Sequence, residues 1–269
     1  MARARDTRQF GPGPYVLGLR RLRMGEEFPF SVPAVAAIEQ LALDQPVTVL
    51  AGDNGSGKST ILEAVAAAVG FAPQGGELER LGELPAVPGD VLDELRTPLL
   101  APVLSATKPR NGYFLRAESF FNIAAFVDSG DRFAPDLSLY GDVPLHQQSH
   151  GESFLALAAN RFGADSVYLL DEPEAALSVT GALALLAIVA RAAGSGAQFV
   201  IATHSPILLA APGARIYELD EDGITITEYD DLEAVRQMRG FLDAPERYLR
   251  QIVAETDIIA DANGDAGDR

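Results

Sequence analysis

The 269-residue sequence contains no cysteine, no tryptophan and only two lysines, Lys58 and Lys108. Without cysteine, disulfides and thiolate-bound metals are excluded, which is typical of proteins that fold in a reducing compartment. The longest apolar runs, such as residues 182–190, fall well short of the roughly 20 residues that cross a bilayer. No apolar signal core follows the N-terminal arginines. We therefore expect a soluble, cytoplasmic protein.

Positive charge is also scarce, because 21 basic residues face 38 acidic ones and the formal net charge is −17. Such a field repels nucleic acid and anionic membranes unless basic residues cluster locally. Arginines do cluster in the first 23 residues, as either an anion-facing patch or a solvated strand and arm. In a chain that almost always uses arginine, Lys58 suggests that a compact, flexible ammonium is needed at its position.

Turn-forming and acidic segments predict the domain organisation. A GPGP string closes residues 1–13, and residues 255–269 are acidic and poor in large apolar groups, so both ends are predicted to be mobile. Between them we predict one domain over residues 14–254. Within it, residues 71–150 are predicted to be an irregular or helical insertion, since proline and glycine punctuate much of this stretch.

Apolar periodicity elsewhere alternates between short buried runs and helical patterns. Strands are predicted at 15–23, 46–51, 112–115, 166–170 and 198–202, and near Ile216 and Ile224. Helices are predicted at 58–69, 91–104 and 119–127, from about 151, at 179–193, and as two segments within 230–253. Alternation of this kind predicts an α/β fold with a mostly parallel central sheet and flanking helices.

The string GDNGSGKS fills residues 52–59, directly after an apolar strand and before a helix. Glycines let successive backbone N–H groups turn inward toward a phosphate at the N-terminus of a helix. In such a loop Lys58 contacts the β- and γ-phosphates, Ser59 binds magnesium and Thr60 donates to the α-phosphate. The alternative is a chance glycine-rich turn. The predicted nucleotide-binding residues of this glycine loop are Asp53, Asn54, Gly55, Ser56, Gly57, Lys58, Ser59 and Thr60.

The run SVYLLDEPEAALS, residues 166–178, is an apolar strand that ends in carboxylates. Asp171 at the strand tip is predicted to hold Mg²⁺, and Glu172 is predicted to act as general base on the attacking water. The alternative is an ordinary acidic loop after a strand. His204 follows another apolar strand, where α/β proteins place their ligands, and is predicted to bond the γ-phosphate unless its role is structural.

The order GDNGSGKST, QSHGES, YLLDEPEAALS, IATHSP resembles the ABC class of P-loop ATPases. The resemblance implies an ABC-type fold with an N-terminal antiparallel β part and a short helical insertion. It assigns residues 148–153, hereafter the signature segment, to the second half of a nucleotide site. There Ser149, Gly151 and Glu152 would contact ATP bound by another copy of the chain, so that ATP is enclosed within a homodimer.

Three motifs depart from the family pattern. In the signature segment, Gln148 and His150 replace a leucine and a glycine. Where the family has a glutamine loop, this chain offers Arg116 and Glu118, and Glu118 is a candidate metal contact. Ser178 stands where an aspartate is usual, which leaves open the coupling between subunits that this aspartate supports.

The strings FLRAESFFN, QSHGES and DEPEAALS look most like a family of stand-alone bacterial predicted ATPases, the AAA-21/AbiEii-like group. This implies a Mg²⁺-dependent ATPase that acts as a nucleotide switch on a protein or nucleic-acid partner, in DNA maintenance or defence. Two alternatives stay open: the nucleotide-binding subunit of a membrane transporter, and a non-hydrolysing sensor or toxin–antitoxin component. Only about thirty residues separate Arg116 from Ser149, which is short for a permease-gripping arm, and the absence of heptads disfavours coiled-coil ATPases.

Overall fold

The computed structural model describes residues 9–21, 25, 28–71, 75–78, 100–116, 149–250 and 252. The predicted helix at 119–127, most of the predicted insertion, Glu118 and Gln148 lie outside these residues. Strands are β1 (Gln9–Phe10), β2 (Val16–Arg21), β3 (Gln40–Ala42), β4 (Val47–Gly52), β5 (Gly76–Glu77), β6 (Leu100–Leu104), β7 (Thr107–Lys108), β8 (Asn111–Arg116), β9 (Ser166–Asp171), β10 (Gln198–Thr203), β11 (Arg215–Asp220) and β12 (Gly223–Ile226). Helices are α1 (Pro33–Ala37), α2 (Lys58–Val69), α3 (His150–Arg161), α4 (Val179–Gly194) and α5 (Glu233–Asp243).

Seven strands form the central sheet, in the order β12-β11-β4-β10-β9-β8-β5. The five inner strands run parallel, and the edge strands β12 and β5 pair antiparallel to their neighbours. Every residue of β9 and β10 is buried, as expected for parallel strands covered on both faces, which read as continuous apolar runs. The predicted α/β class with a mostly parallel sheet is confirmed.

A separate three-stranded antiparallel sheet has the order β3-β2-β6, which confirms the predicted N-terminal antiparallel part. Its third strand corrects the sequence analysis, because the helix predicted over 91–104 is wrong at its C-terminal end. Residues Leu100–Leu104 are extended and pair with β2. Pro102 explains the outcome, since proline disrupts a helix interior but is tolerated on an edge strand such as β6.

The predicted helices around the glycine loop and the later motifs are confirmed. Helix α2 spans Lys58–Val69 as predicted, and it ends at Gly70, whose φ of 99° is the left-handed geometry that favours glycine. The helix predicted from about residue 151 begins at His150, and that predicted at 179–193 is Val179–Gly194. Side chains of α2, including Ile61 and Val65, are buried in one apolar cluster with both sheets.

Gln198, at the start of β10, joins the antiparallel sheet to the central sheet. Its fully buried side chain accepts from the N–H groups of Tyr15 and Val16 at 2.8 and 3.0 Å. The amide nitrogen donates to the carbonyls of Val16 and Leu43 at 2.8 and 2.6 Å. One polar side chain therefore satisfies four backbone groups that burial would otherwise leave without partners.

Backbone contacts divide the chain into two compact units, Met1–Thr227 and Glu228–Arg269. In the second unit, α5 and a helical segment at 245–250 are separated at Ala244, as the sequence predicted. An ion pair joins Arg239 to Asp230 at 2.6 Å, and the rings of Phe241 and Tyr248 meet edge to face. The predicted domain limits at 14 and 254 stay a prediction. No helix among the described residues is both long and apolar enough to cross a membrane.

We predict that Gln198→Leu destabilises the first unit. The substitution leaves two buried N–H groups and two carbonyls without their partner, a cost of about 3 kcal/mol or more. The melting temperature is expected to fall by about 6–12 °C in differential scanning calorimetry. Gln237→Leu, at an exposed position where the amide donates to Glu233, is the matched control and is expected to melt at the wild-type temperature. If Gln198→Leu and Gln237→Leu have the same melting temperature, Gln198 does not stabilise the junction between the two sheets.

Candidate functional site

The glycine loop connects β4 to α2 in a backbone conformation that requires glycine. Gly52, Gly55 and Gly57 have φ values of 146°, 84° and 104°, which side chains rarely adopt. A Cβ at Gly52 would lie 2.4 Å from the carbonyl oxygen of Leu219, and one at Gly57 would lie 2.7 Å from Val32. A Cβ at Gly55 would have no described residue other than its chain neighbours within 4 Å. The loop is thus closely supported at both ends and open in the middle.

Lys58 places a buried ammonium under this open loop. Its side chain is 3% exposed, and its Nζ donates to the carbonyls of Gly52 and Asp53, both at 2.8 Å. The buried hydroxyl of Ser56 has no hydrogen-bond partner within the described chain. A buried ammonium and the buried Ser56 hydroxyl, next to the N-terminus of α2, suit an incoming phosphate. Asp53 and Asn54 are exposed, and Ser59 and Thr60 follow in the first turn of α2.

Ser59 and Asp171 meet at the end of the sheet. The Ser59 hydroxyl donates to Asp171 Oδ1 at 2.9 Å. Burial raises the pKa of the Asp171 carboxyl, and the Ser59 hydrogen bond and the Arg116 guanidinium offset part of that rise. A hard cation such as Mg²⁺ takes hydroxyl and carboxylate oxygens as ligands. These two side chains therefore suit the ligand chemistry of a magnesium ion and would hold it if it bound here.

Arg116, at the end of β8, supports this carboxylate. Its Nε lies 3.5 Å from Asp171 Oδ2, and its Nη1 lies 2.8 Å from Glu63 Oε1 on α2. The parallel register places Arg116 beside Asp171. From the sequence, Arg116 was expected only as a replacement for the missing glutamine, and Glu63 was not predicted. The available signal was the spacing of Ser59 and Glu63, which puts both on one face of a helix.

Glu172 brings the three predicted catalytic residues together. Its Oε1 lies 3.6 Å from Lys58 Nζ and 3.7 Å from His204 Nδ1. The backbone at Glu172 is left-handed, with φ of 46°, which costs a non-glycine residue about 1–2 kcal/mol. Its N–H donates to the carbonyl of Ala202 at 2.9 Å, on the strand that leads to His204. The unfavourable conformation points to a functional demand on this side chain.

Glu174 is a further residue of this site that sequence reasoning missed. Its Oε1 accepts from Thr203 Oγ1 at 2.5 Å and from the N–H groups of His204 and Ser205 at 2.9 and 3.1 Å. The His204 Nδ1 atom lies 3.4 Å from the same oxygen. The only sequence signal was a third carboxylate in the string DEPEA, and nothing in the string connects it to a segment thirty residues later.

The signature segment begins helix α3. Ser149 is the N-cap, and its hydroxyl and N–H donate to Glu152 Oε2 at 2.7 and 2.9 Å in a capping box. These bonds, the side-chain bond first, lower the pKa of Glu152. A Cβ at Gly151 would lie 2.8 Å from the carbonyl oxygen of Ala176. Within the described chain, none of these three residues makes a hydrogen bond or ion pair with the glycine loop of its own copy.

Two phenylalanines that precede α1, Phe28 and Phe30, differ in exposure. Phe30 is 8% exposed and belongs to the apolar core, whereas Phe28 is 48% exposed. Val32, two residues beyond Phe30, is the side chain that a Cβ at Gly57 would strike. The segment that contains both phenylalanines therefore reaches the glycine loop, but only Phe28 presents its ring to solvent.

Sequence comparisons assign the family. A family described as "AAA domain, putative AbiEii toxin, Type IV TA system" matches residues 105–210, and one described as "AAA domain" matches 31–83. The cytochrome c biogenesis ATP-binding export protein CcmA of Nitrobacter winogradskyi is 30% identical over 200 residues, 74% of this chain and 95% of that protein. The chain belongs to the ABC-type P-loop ATPases.

Solved structures similar to this ABC-type ATPase include a transporter component and a head domain. CbiO1 from Clostridium perfringens, part of the ABC transporter complex cbiONQ, aligns with a TM-score of 0.47 and 17% identity, over 88% of this chain and 99% of that chain. The SMC head domain from Thermotoga maritima aligns with a TM-score of 0.40 and 16% identity, over 70% of this chain and 93% of that chain.

We predict that Asp171→Asn stabilises the nucleotide-free protein. A raised folded-state pKa means that folding disfavours the ionised carboxylate, so the wild type is penalised above that pKa and relieved as pH falls through it. At neutral pH the variant is expected to melt about 2 °C higher, and the difference should shrink in acid. Asp44→Asn, at a half-exposed carboxylate paired with Arg215, should show no such gain. A lower melting temperature for Asp171→Asn would contradict the assignment.

Proposed function

We propose that this chain is a cytoplasmic Mg²⁺-dependent ATPase whose hydrolysis cycle acts as a switch on a macromolecular partner. One observation carries the proposal: Lys58, Glu172 and His204 converge beside the Ser59–Asp171 pair at the carboxyl end of the parallel sheet. In α/β proteins this end of the sheet is where ligands bind. Family membership supports nucleotide binding, and the position of Glu172 supports turnover.

Binding would begin at the glycine loop. Its N–H groups and the N-terminus of α2 attract the phosphates, and Asp53, Asn54 and Gly55 are exposed to receive them. Lys58 would exchange its bonds to the carbonyls of Gly52 and Asp53 for β- and γ-phosphate oxygens. Ser59 and Asp171 would hold Mg²⁺, which neutralises phosphate charge when bound. Arg116 and Glu63 would keep the Asp171 carboxylate oriented, whereas the proposed metal contact of Glu118 falls outside the described residues.

Hydrolysis requires a base for the attacking water. The oxygen of the attacking water would bond to the γ-phosphorus, and Glu172 would accept a proton from that water. The bond between the γ-phosphorus and the bridging oxygen would break, which releases ADP and phosphate. Lys58, 3.6 Å from the Glu172 carboxylate, would stabilise charge on the leaving and transferred groups. The His204 side chain is 48% exposed and lies beside Glu172, so it is accessible to a bound nucleotide. There it would bond the γ-phosphate and orient the water.

A second copy of the chain would complete the site. Ser149 and Glu152 are exposed and Gly151 is partly buried at the start of α3, and within the described chain none of the three bonds to the glycine loop of its own copy. The bond from Glu152 N–H to Ser149 Oγ is long, at 3.4 Å, so this N-terminal turn retains capacity to donate to an anion. We infer an ATP-bound homodimer in which each signature segment contacts the γ-phosphate held by the other copy.

We predict that Glu172→Gln abolishes turnover and preserves binding. The amide keeps the shape of the side chain but cannot accept the proton, so kcat is expected to fall by about 100-fold or more, while ATP should accumulate in a stable dimer. Phosphate release and analytical ultracentrifugation with Mg²⁺ and ATP measure the two effects.

Lys58→Ala is the companion variant. It should lose ATP affinity and remain monomeric, because the buried ammonium that faces the phosphates is removed. Hydrolysis by Glu172→Gln at the wild-type rate would eliminate Glu172 as the base, and undiminished ATP affinity of Lys58→Ala would remove the phosphate role of the lysine.

A second candidate function is the ATP-binding subunit of an exporter. It is favoured by the 30% identity to a protein whose name includes "ATP-binding export protein". The short distance along the chain between Arg116 and Ser149 disfavours it. Affinity purification of the Glu172→Gln protein from membranes with ATP distinguishes the two: a permease recovered at fixed stoichiometry supports the exporter, and a soluble protein or nucleic acid supports the switch.

A further inference from the structure

A single carboxylate oxygen holds three consecutive residues at the end of β10. Glu174 lies in the short 3-10 turn Pro173–Ala176, and its side chain is 11% exposed. Its Oε1 accepts from the Thr203 hydroxyl and from the N–H groups of His204 and Ser205. Hydrogen bonds to a charged acceptor are stronger than neutral ones. The main chain at His204 is therefore fixed by a residue outside its own strand.

This arrangement is not what stability alone would favour. The second carboxylate oxygen, Oε2, is buried and has no hydrogen-bond partner within the described chain. A buried, half-satisfied carboxylate is costly, since unpaired acceptors lose their hydration without compensation. Ser205 N–H also has an alternative acceptor in Thr203 Oγ1 at 3.0 Å. The His204 N–H, by contrast, donates to Glu174, so Glu174 is the residue that positions the His204 peptide.

The turn that contains Glu174 also touches the signature segment. The carbonyl oxygen of Ala176 would lie 2.8 Å from a Cβ at Gly151, and Leu177 Cδ2 would lie 3.8 Å from it. The turn itself is closed by the Leu177 N–H, which donates to the carbonyl of Glu174 at 2.9 Å. One short element thus contacts the first turn of α3 on one side and the His204 main chain on the other.

We propose that Glu174 is a positioning residue that holds His204 in register with Glu172 and links it to the signature segment of the same copy. The inference rests on the proposed ATPase function.

Glu174→Ala in the full chain tests the proposal. Loss of the three bonds should displace His204 and lower kcat by about 10- to 100-fold, because small misplacements of reacting groups carry penalties of that size. The Kd for ATP, measured by calorimetry, should stay within about twofold of the wild type. The double variant Glu174→Ala/His204→Ala should be no slower than His204→Ala, since residues that act as a unit are non-additive. Multiplicative losses, or an unchanged kcat, would overturn the proposal.

Three further variants control for structure. Glu174→Gln keeps an oxygen acceptor and should recover most of kcat. Thr203→Val removes one donor to Glu174 and keeps the shape of the side chain, so it should lower kcat and leave the Kd for ATP unchanged. If Glu174→Ala does not fold, an unchanged kcat in Thr203→Val overturns the proposal. Asp220→Asn is the matched control, because its Oδ1 also accepts two N–H groups, from Asp222 and Gly223 at 2.9 Å, and it should leave kcat unchanged.

The experiment separates this inference from the proposed function. If the wild type and Lys58→Ala hydrolyse ATP equally, the ATPase assignment itself fails, and the role of Glu174 fails with it. If the wild type is active and depends on Lys58, but Glu174→Ala matches its kcat, only the positioning role fails.

Discussion

The parallel register of β4, β10 and β9 is the constraint on which the candidate site depends. Thr203 pairs with Ala51, and Ala202 pairs with Asp171, so the three strands end at the same level. The glycine loop, the carboxylates and the histidine each follow one of these ends. Because parallel strands point their carboxyl ends to one edge, residues far apart in sequence need no special loops to meet.

Charge at this edge is unbalanced in a way that suits a nucleotide and a metal. Among the described residues, Glu172 pairs with Lys58, and Glu63 and Asp171 both pair with Arg116. A fourth carboxylate, Glu174, lies beside His204. The ammonium faces the glycine loop, and the guanidinium lies between Glu63 and Asp171. A divalent cation with a polyphosphate would satisfy both kinds of group at once. Burial contributes most to the raised pKa of Asp171, and the nearby carboxylates of Glu172 and Glu63 add to it.

The sequence predicted the parts of the site that arise from local rules. Helix α2 after the glycine loop, the strand before Asp171 and the position of His204 follow from glycine geometry, apolar runs and strand ends. The pairing of Arg116 with Glu63 and the bonds from Glu174 to residues 203–205 could not be predicted, because they depend on which strands lie side by side. Strand β6 was missed because its leucines and Pro102 fit several structures until β2 provides a pairing edge.

The proposed homodimer would give a function to residues that have none in a single copy's nucleotide site. At the start of α3, Ser149 and Glu152 are exposed and form their capping-box hydrogen bonds with each other. Gly151 packs against Ala176, in the turn whose Glu174 holds His204. The altered signature residue His150 and the serine at position 178, which caps α4 through the N–H of Gly181 at 3.1 Å, place this chain apart from the usual family pattern. A site shared between copies gives both segments a function, since each would lie at the boundary between subunits.

The central claim, that one copy's glycine loop works with the other copy's signature segment, is tested most directly by mixing two inactive variants. Lys58→Ala retains its signature segment, and Ser149→Arg retains its glycine loop, so a mixed dimer contains one complete site. Each protein alone should hydrolyse ATP at background rate, and the mixture, with mixed dimers demonstrated by differential tags, should recover activity. A mixture that forms mixed dimers yet stays at background would contradict the claim.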